Sequence, residues 1–122
     1  MTLTDYVGLD DIQSSFLDQL TFRFSKLQDT MGEKLFPLFL YHTGEPVKSM
    51  TFIDRLNRLE ELGLVDREEW FSFRHERNEI THEYSFNQES IVEALNRIYQ
   101  AVPLLIGRFK AFDESCRIRF GL

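Results

Sequence analysis

An all-α, antiparallel bundle of four to five helices in one domain spanning residues 1–122 is the fold this sequence predicts, and three observations predict it. Apolar residues recur every three or four positions through four long stretches, the mark of helices with one buried face. Alternating apolar and polar runs long enough for strands are missing, as are internal repeats. Loop-forming and capping residues fall between the stretches, so the connections are short and neighbouring helices should pack antiparallel.

The first stripe runs Ile12, Phe16, Leu20, Phe24, Leu27, Met31, Leu35, Leu38, and Asp10 or Asp11 can cap its start. Gly32 and Pro37 interrupt it, which predicts a kink or break there. Tyr41 to Pro46 reads as a loop by composition. Phe52, Leu56, Leu59 and Leu62 form a second, shorter helix that Gly63 can close. Asp66 and Glu69 have capping-box spacing for a third helix starting near Arg67. Ser85 or Asn87 can cap a fourth, carried by Ile91, Leu95, Ile98, Val102, Ile106 and Phe109, with Pro103 expected to kink it.

Composition narrows the function classes. Fourteen basic against twenty acidic residues give a net charge of −6, which argues against coating nucleic acid by bulk electrostatics. The excess acid lies early: residues 85–122 hold five basic and four acidic groups, so any nucleic-acid contact should be local and in the second half. The longest apolar runs fall well short of the roughly 18 residues of a membrane span, and the acidic N-terminus lacks a signal-peptide core. A single cysteine, Cys116, excludes an internal disulfide and fits a reducing compartment. A cytoplasmic protein without membrane contact is the expectation. Twelve phenylalanines suggest a core of large rings or an extra buried interface.

The third helix carries the chemistry. On an ideal wheel Glu68, Glu69, Ser72, Glu76, Glu79 and Glu83 share one arc, read as a solvated acidic face. Trp70, Phe73, Ile80 and Thr81 lie opposite, with Arg77 and Tyr84 among them. A guanidinium on an apolar side needs a partner or a wet cleft. Arg77 offers a planar fork of donors for a phosphate, His82 can exchange a proton near neutral pH, and Asn78 adds a polar group. Arg77 and His82 diverge by about 140°, so either the helix bends or ends between them, or a second protomer completes the site. The bland alternative is an arginine paired internally with an acid and a histidine at a helix end.

Arg77-Asn78-Glu79-Ile80-Thr81-His82-Glu83-Tyr84 resembles the R-x4-H-x-Y signature of the HEPN superfamily, in its HepT-like toxin branch. The helix order around it, including the "LEELGLV" turn, is similar too. The resemblance implies a metal-independent RNase toxin acting as a homodimer, without cofactor, with a minimal nucleotidyltransferase as its antitoxin. It implies Arg77 and His82 as the catalytic pair, Asn78 as an assisting residue, and Tyr84 as the position the partner modifies with AMP. Some relatives are silent binding modules, which supplies the alternative: a non-catalytic helical subunit that binds the transferase.

Other constellations are weaker. His75, Glu79 and His82 cluster on the wheel but lack the further carboxylates of a di-iron bundle, so no metal is expected. Cys116 reads as a structural or surface thiol, His42 as an exposed loop residue, and Arg117 and Arg119 as part of a frayed, solvated tail. Trp70, Phe71 and Phe73 read as aromatic surface that a twofold contact could bury.

Overall fold

The computed structural model describes the backbone of residues 1–83 and 87–122, and their side chains apart from those of 81–83. Its regular structure is entirely helical, with no strand among the described residues. A short α1 (Leu3–Val7) precedes α2 (Asp11–Thr30). Five residues cannot display an apolar stripe, so α1 was invisible to periodicity. Local capping sets it instead: the Thr2 hydroxyl accepts from Asp5 N–H, and the Asp5 carboxylate accepts from Thr2 N–H. Asp10, rather than Asp11, caps α2 through the same reciprocal arrangement with Gln13.

Of the kink or break expected at Gly32 and Pro37, no break occurs, and the irregularity there is a change of helix type. The chain passes from α2 through one π turn (Met31–Leu35) into α3 (Phe36–His42). Phe36 N–H reaches back five residues to the Met31 carbonyl, and Pro37, which has no N–H to give, falls in the first turn of α3. Gly32 is favoured by packing: a Cβ there would stand 3.1 Å from Trp70 Cζ2, a tight contact that the indole would have to shift to relieve. Tyr41 and His42, expected in a loop, complete α3 instead, although both remain exposed.

A single 3₁₀ turn (Val47–Ser49) leads into α4 (Phe52–Glu61), capped by Thr51 and Asp54. Gly63, at φ +75°, closes α4: its N–H goes to the Glu60 carbonyl and that of Leu64 to Leu59, a paired ending that needs a left-handed residue. The Asp66 cap of α5 (Arg67–Glu83) is only half of the expected box. Asp66 Oδ1 accepts from Glu69 N–H at 2.9 Å, but the Glu69 carboxylate turns to Arg108. Asn87 caps α6 (Gln88–Phe120), accepting from the N–H groups of Glu89 and Ser90, while Ser85, the other candidate cap, lies outside the described residues. The helix continues through Pro103 and keeps helical form in its last turn, where Arg117 pairs with Asp113 and Arg119 lies over the Phe39 ring. The frayed tail is therefore corrected.

The core is aromatic. Phe36 packs at 4.8 Å from Trp70 and 5.4 Å from Phe112, Trp70 meets Phe73 edge-on, and Phe73 meets Phe24. Such tilted and edge-on pairs suit the ring quadrupole. These contacts run α5 antiparallel to α2–α3, and the Glu69–Arg108 and Glu76–Arg97 pairs run it antiparallel to α6. Consequently α2–α3 and α6 lie side by side in the same direction, with α5 against both. No described helix is long and apolar enough to cross a membrane.

Candidate functional site

The candidate motif as far as Glu83 sits on the last two turns of α5, which stays α-helical to that residue. The helix therefore does not end between Arg77 and His82. Of the expected site residues, the structure places two completely. Arg77 points toward α2, where Asp29 takes it in a fork: Nε to Oδ1 at 3.2 Å and Nη2 to Oδ2 at 3.0 Å. Each side chain of this pair is about one-third exposed, at 33% and 32%. Asn78, next along the helix, is exposed. His82 lies on the helix but its side chain is outside the described residues, and Tyr84 lies outside them altogether.

The partner demanded by a guanidinium on the apolar flank is thus an aspartate from a helix 48 residues away in sequence. Asp29 was missed because nothing in its local pattern marks it: it is an ordinary polar position beside the α2 stripe. Its hydrogen bonds, followed by its charge and that of Glu33, hold Arg77 above the ordinary arginine range, while partial burial works against them. The guanidinium stays charged and fixed in plane, and its edge remains reachable from solvent.

The expected solvated acidic face is overturned at two positions. Glu76 is buried, at 8% exposure, and takes Arg97 Nε at 2.8 Å; Glu69 takes both Nε and Nη2 of Arg108 at 2.6 and 3.0 Å. The arc faces α6, whose arginines are spaced to meet it, so what looked like a wet face is a seam of ion pairs. Glu68 and Ser72, further round, are exposed. The expected aromatic surface is overturned as well: Trp70 and Phe73 are 3% exposed within one chain, and only Phe71 remains outside. That packing removes one of the two grounds for placing a twofold contact at the motif helix.

His75 Nε2 stands 3.8 Å from Glu79 Oε1 on the outer side of α5. No group of three or more potential metal ligands occurs among the described residues. Cys116 is half-buried and its thiol is held above its usual range, by burial first and by Asp113 second, which keeps it protonated and a poor nucleophile.

Fold and site together define a class: a small helical bundle with a charged, oriented arginine at the edge of its motif helix. Set against family models, curated proteins and solved structures, the chain matches none.

Proposed function

We propose that this protein is a cytoplasmic, metal-independent endoribonuclease of the HEPN type, the toxin half of a pair whose antitoxin is a minimal nucleotidyltransferase. The observation that carries the proposal is the Arg77-Asn78-x3-His82-x-Tyr84 sequence, whose stretch from Arg77 to His82 lies on one uninterrupted helix, with the Arg77 guanidinium held by Asp29 and one-third exposed. In the reaction the 2′-oxygen of RNA attacks the adjacent phosphorus and the 5′-oxygen leaves, giving a 2′,3′-cyclic phosphate and a 5′-hydroxyl. His82 moves the proton, a role worth about 10²–10⁴ in rate. Arg77 offsets the charge that builds on the phosphorane oxygens, and Asn78 hydrogen-bonds the same group. DNA lacks the attacking hydroxyl and is inert.

Because the two catalytic residues diverge by about 140° on one helix, a homodimer that gathers Arg77 and His82 into one cleft fits better than a single face. By the spacing of an ideal helix Tyr84 would fall about 20° from Arg77, so an AMP placed on its hydroxyl by the partner, with pyrophosphate released from ATP, would set an anion on the side of the arginine fork.

The test is cleavage of labelled single-stranded RNA with and without EDTA. Cleavage persists in EDTA, and Arg77→Ala and His82→Ala each abolish it while circular dichroism is unchanged. Mixing the two inactive variants restores activity if each cleft draws on both chains. Activity that requires a divalent ion would overturn the mechanism.

One observation favours a second reading, a non-catalytic module that binds the nucleotidyltransferase. Asp29 already takes two of the arginine's donors, as it would in a purely structural pair. RNA left intact, together with stable binding to the transferase, would establish that reading.

A further inference from the structure

On the side away from α5, the parallel pair α2–α3 and α6 encloses a trench made of three adjoining hollows. The first, about 250 Å³, lies between Leu20 and Leu27 on one wall and Val102 and Ile106 on the other. The second, about 480 Å³, shares Arg23 and Leu27 with it. The third, also about 480 Å³, shares Leu35 and Phe109 with the second and runs on to Leu38 and Cys116. From Leu20 to Leu38 the trench is roughly 27 Å long, the length of a helix of about 18 residues. Its walls leave large apolar groups in water, with Leu38 53% and Ile106 40% exposed.

The charges along it are distinctive. Nine of the ten arginines have a partner: five pair with carboxylates, one with a carbonyl, one with the Asn57 amide, and two lie over phenylalanine rings. Arg23, on the wall shared by the first two hollows, has no hydrogen bond, ion pair or ring contact among the described residues, and neither does its neighbour Lys26. The other lysines, Lys34, Lys48 and Lys110, also lack a side-chain partner among the described residues, so Arg23 is the cation that stands out, and with Lys26 it puts positive charge beside the apolar trench. The acid lining the far hollow, Asp113, is already held by Arg117 at 3.0 Å.

We propose that this trench is a docking site for an amphipathic helix of a partner protein, one that lays apolar side chains along the floor and presents carboxylates to Arg23 and Lys26. Helix-in-groove recognition takes apolar anchors at i, i+4 and i+7 for affinity and flanking charge for selection. The assignment stands apart from the RNase reading and uses no motif residue. A second copy of the chain is the poorer occupant, because it brings the same two cations to the contact and its own trench acid is already taken.

Three synthetic 18-residue helices of Leu and Ala, flanked by Glu, flanked by Lys, or scrambled, titrated against the whole chain by fluorescence anisotropy, test the proposal. The Glu-flanked helix binds at least tenfold tighter than the Lys-flanked one, and the Arg23→Glu/Lys26→Glu variant reverses that order. The reversal is a gained preference, so misfolding cannot mimic it. Equal binding of the Glu and Lys helices, or an order that the variant leaves unchanged, overturns the proposal. Light scattering that shows a two-chain mass lost in Leu27→Asp, itself folded by circular dichroism, overturns it in favour of a second copy.

Discussion

The two flanks of α5 carry ion pairs of similar length and different character. Toward α6, the helix supplies the acid: Glu76 is sunk to 10% side-chain exposure and meets an arginine at 2.8 Å. Toward α2, the helix supplies the base: Arg77 meets Asp29 at 3.0 Å with both partners a third exposed. Arg97 is 43% exposed but Glu76 is nearly buried, so losing the cation leaves a poorly solvated carboxylate and the first pair ties α5 to α6 the more firmly. The second pair can exchange with water or with another anion at little cost. Chemically similar contacts thus serve as a bolt on one side and as a holder on the other.

The sharpest way to break this contrast is Arg97→Leu, which strands the Glu76 carboxylate. Urea unfolding should show a loss of about 2–4 kcal/mol, largely recovered when Glu76→Leu is added. A loss no larger than that of an exposed pair would erase the distinction. Gly32→Ala comes next, because its methyl group meets Trp70 where α5 docks on the π turn. About 1–2 kcal/mol should be lost, read as a fall in Tm, and Trp70→Phe should relieve part of it. Asp29→Ala, on the open flank, should cost about 1 kcal/mol or less in the same urea experiment. Smallest is the effect of salt. Coupling between Asp29 and Arg77, from a double-mutant cycle, should fall as NaCl rises from low levels to about 1 M, while that between Glu76 and Arg97 holds.

Much of the fold was legible because it is written in local terms. A stripe of period 3.6 with capping residues at its ends specifies a helix through neighbours in sequence: Asp10, Asp66 and Asn87 stand ahead of α2, α5 and α6, and Gly63 closes α4. The failures came where the deciding partner is distant. Gly32 and Pro37 mark an irregularity in sequence, but only the packing of Trp70 against the turn shows why the glycine stands there and that the chain continues as a π turn. Glu76 looks solvated until α6 arrives with Arg97. Wheel geometry says which residues share a face and nothing about what that face meets.

The same division runs through the candidate site. Whereas the continuation of the third helix past His82 came from the structure, the sequence by itself determined that Arg77 and Asn78 lie on that helix, that Arg77 sits on its apolar side, and that it therefore needed a partner. These follow from helical pitch and from the cost of burying a lone charge. Only the tertiary structure decided that the partner is Asp29, that Trp70 and Phe73 are core rings, and that the open apolar surface lies along α2 and α6. Pairing across helices depends on how their axes cross and in which register they pack. That is set by the whole core at once, and no local stretch of sequence contains it.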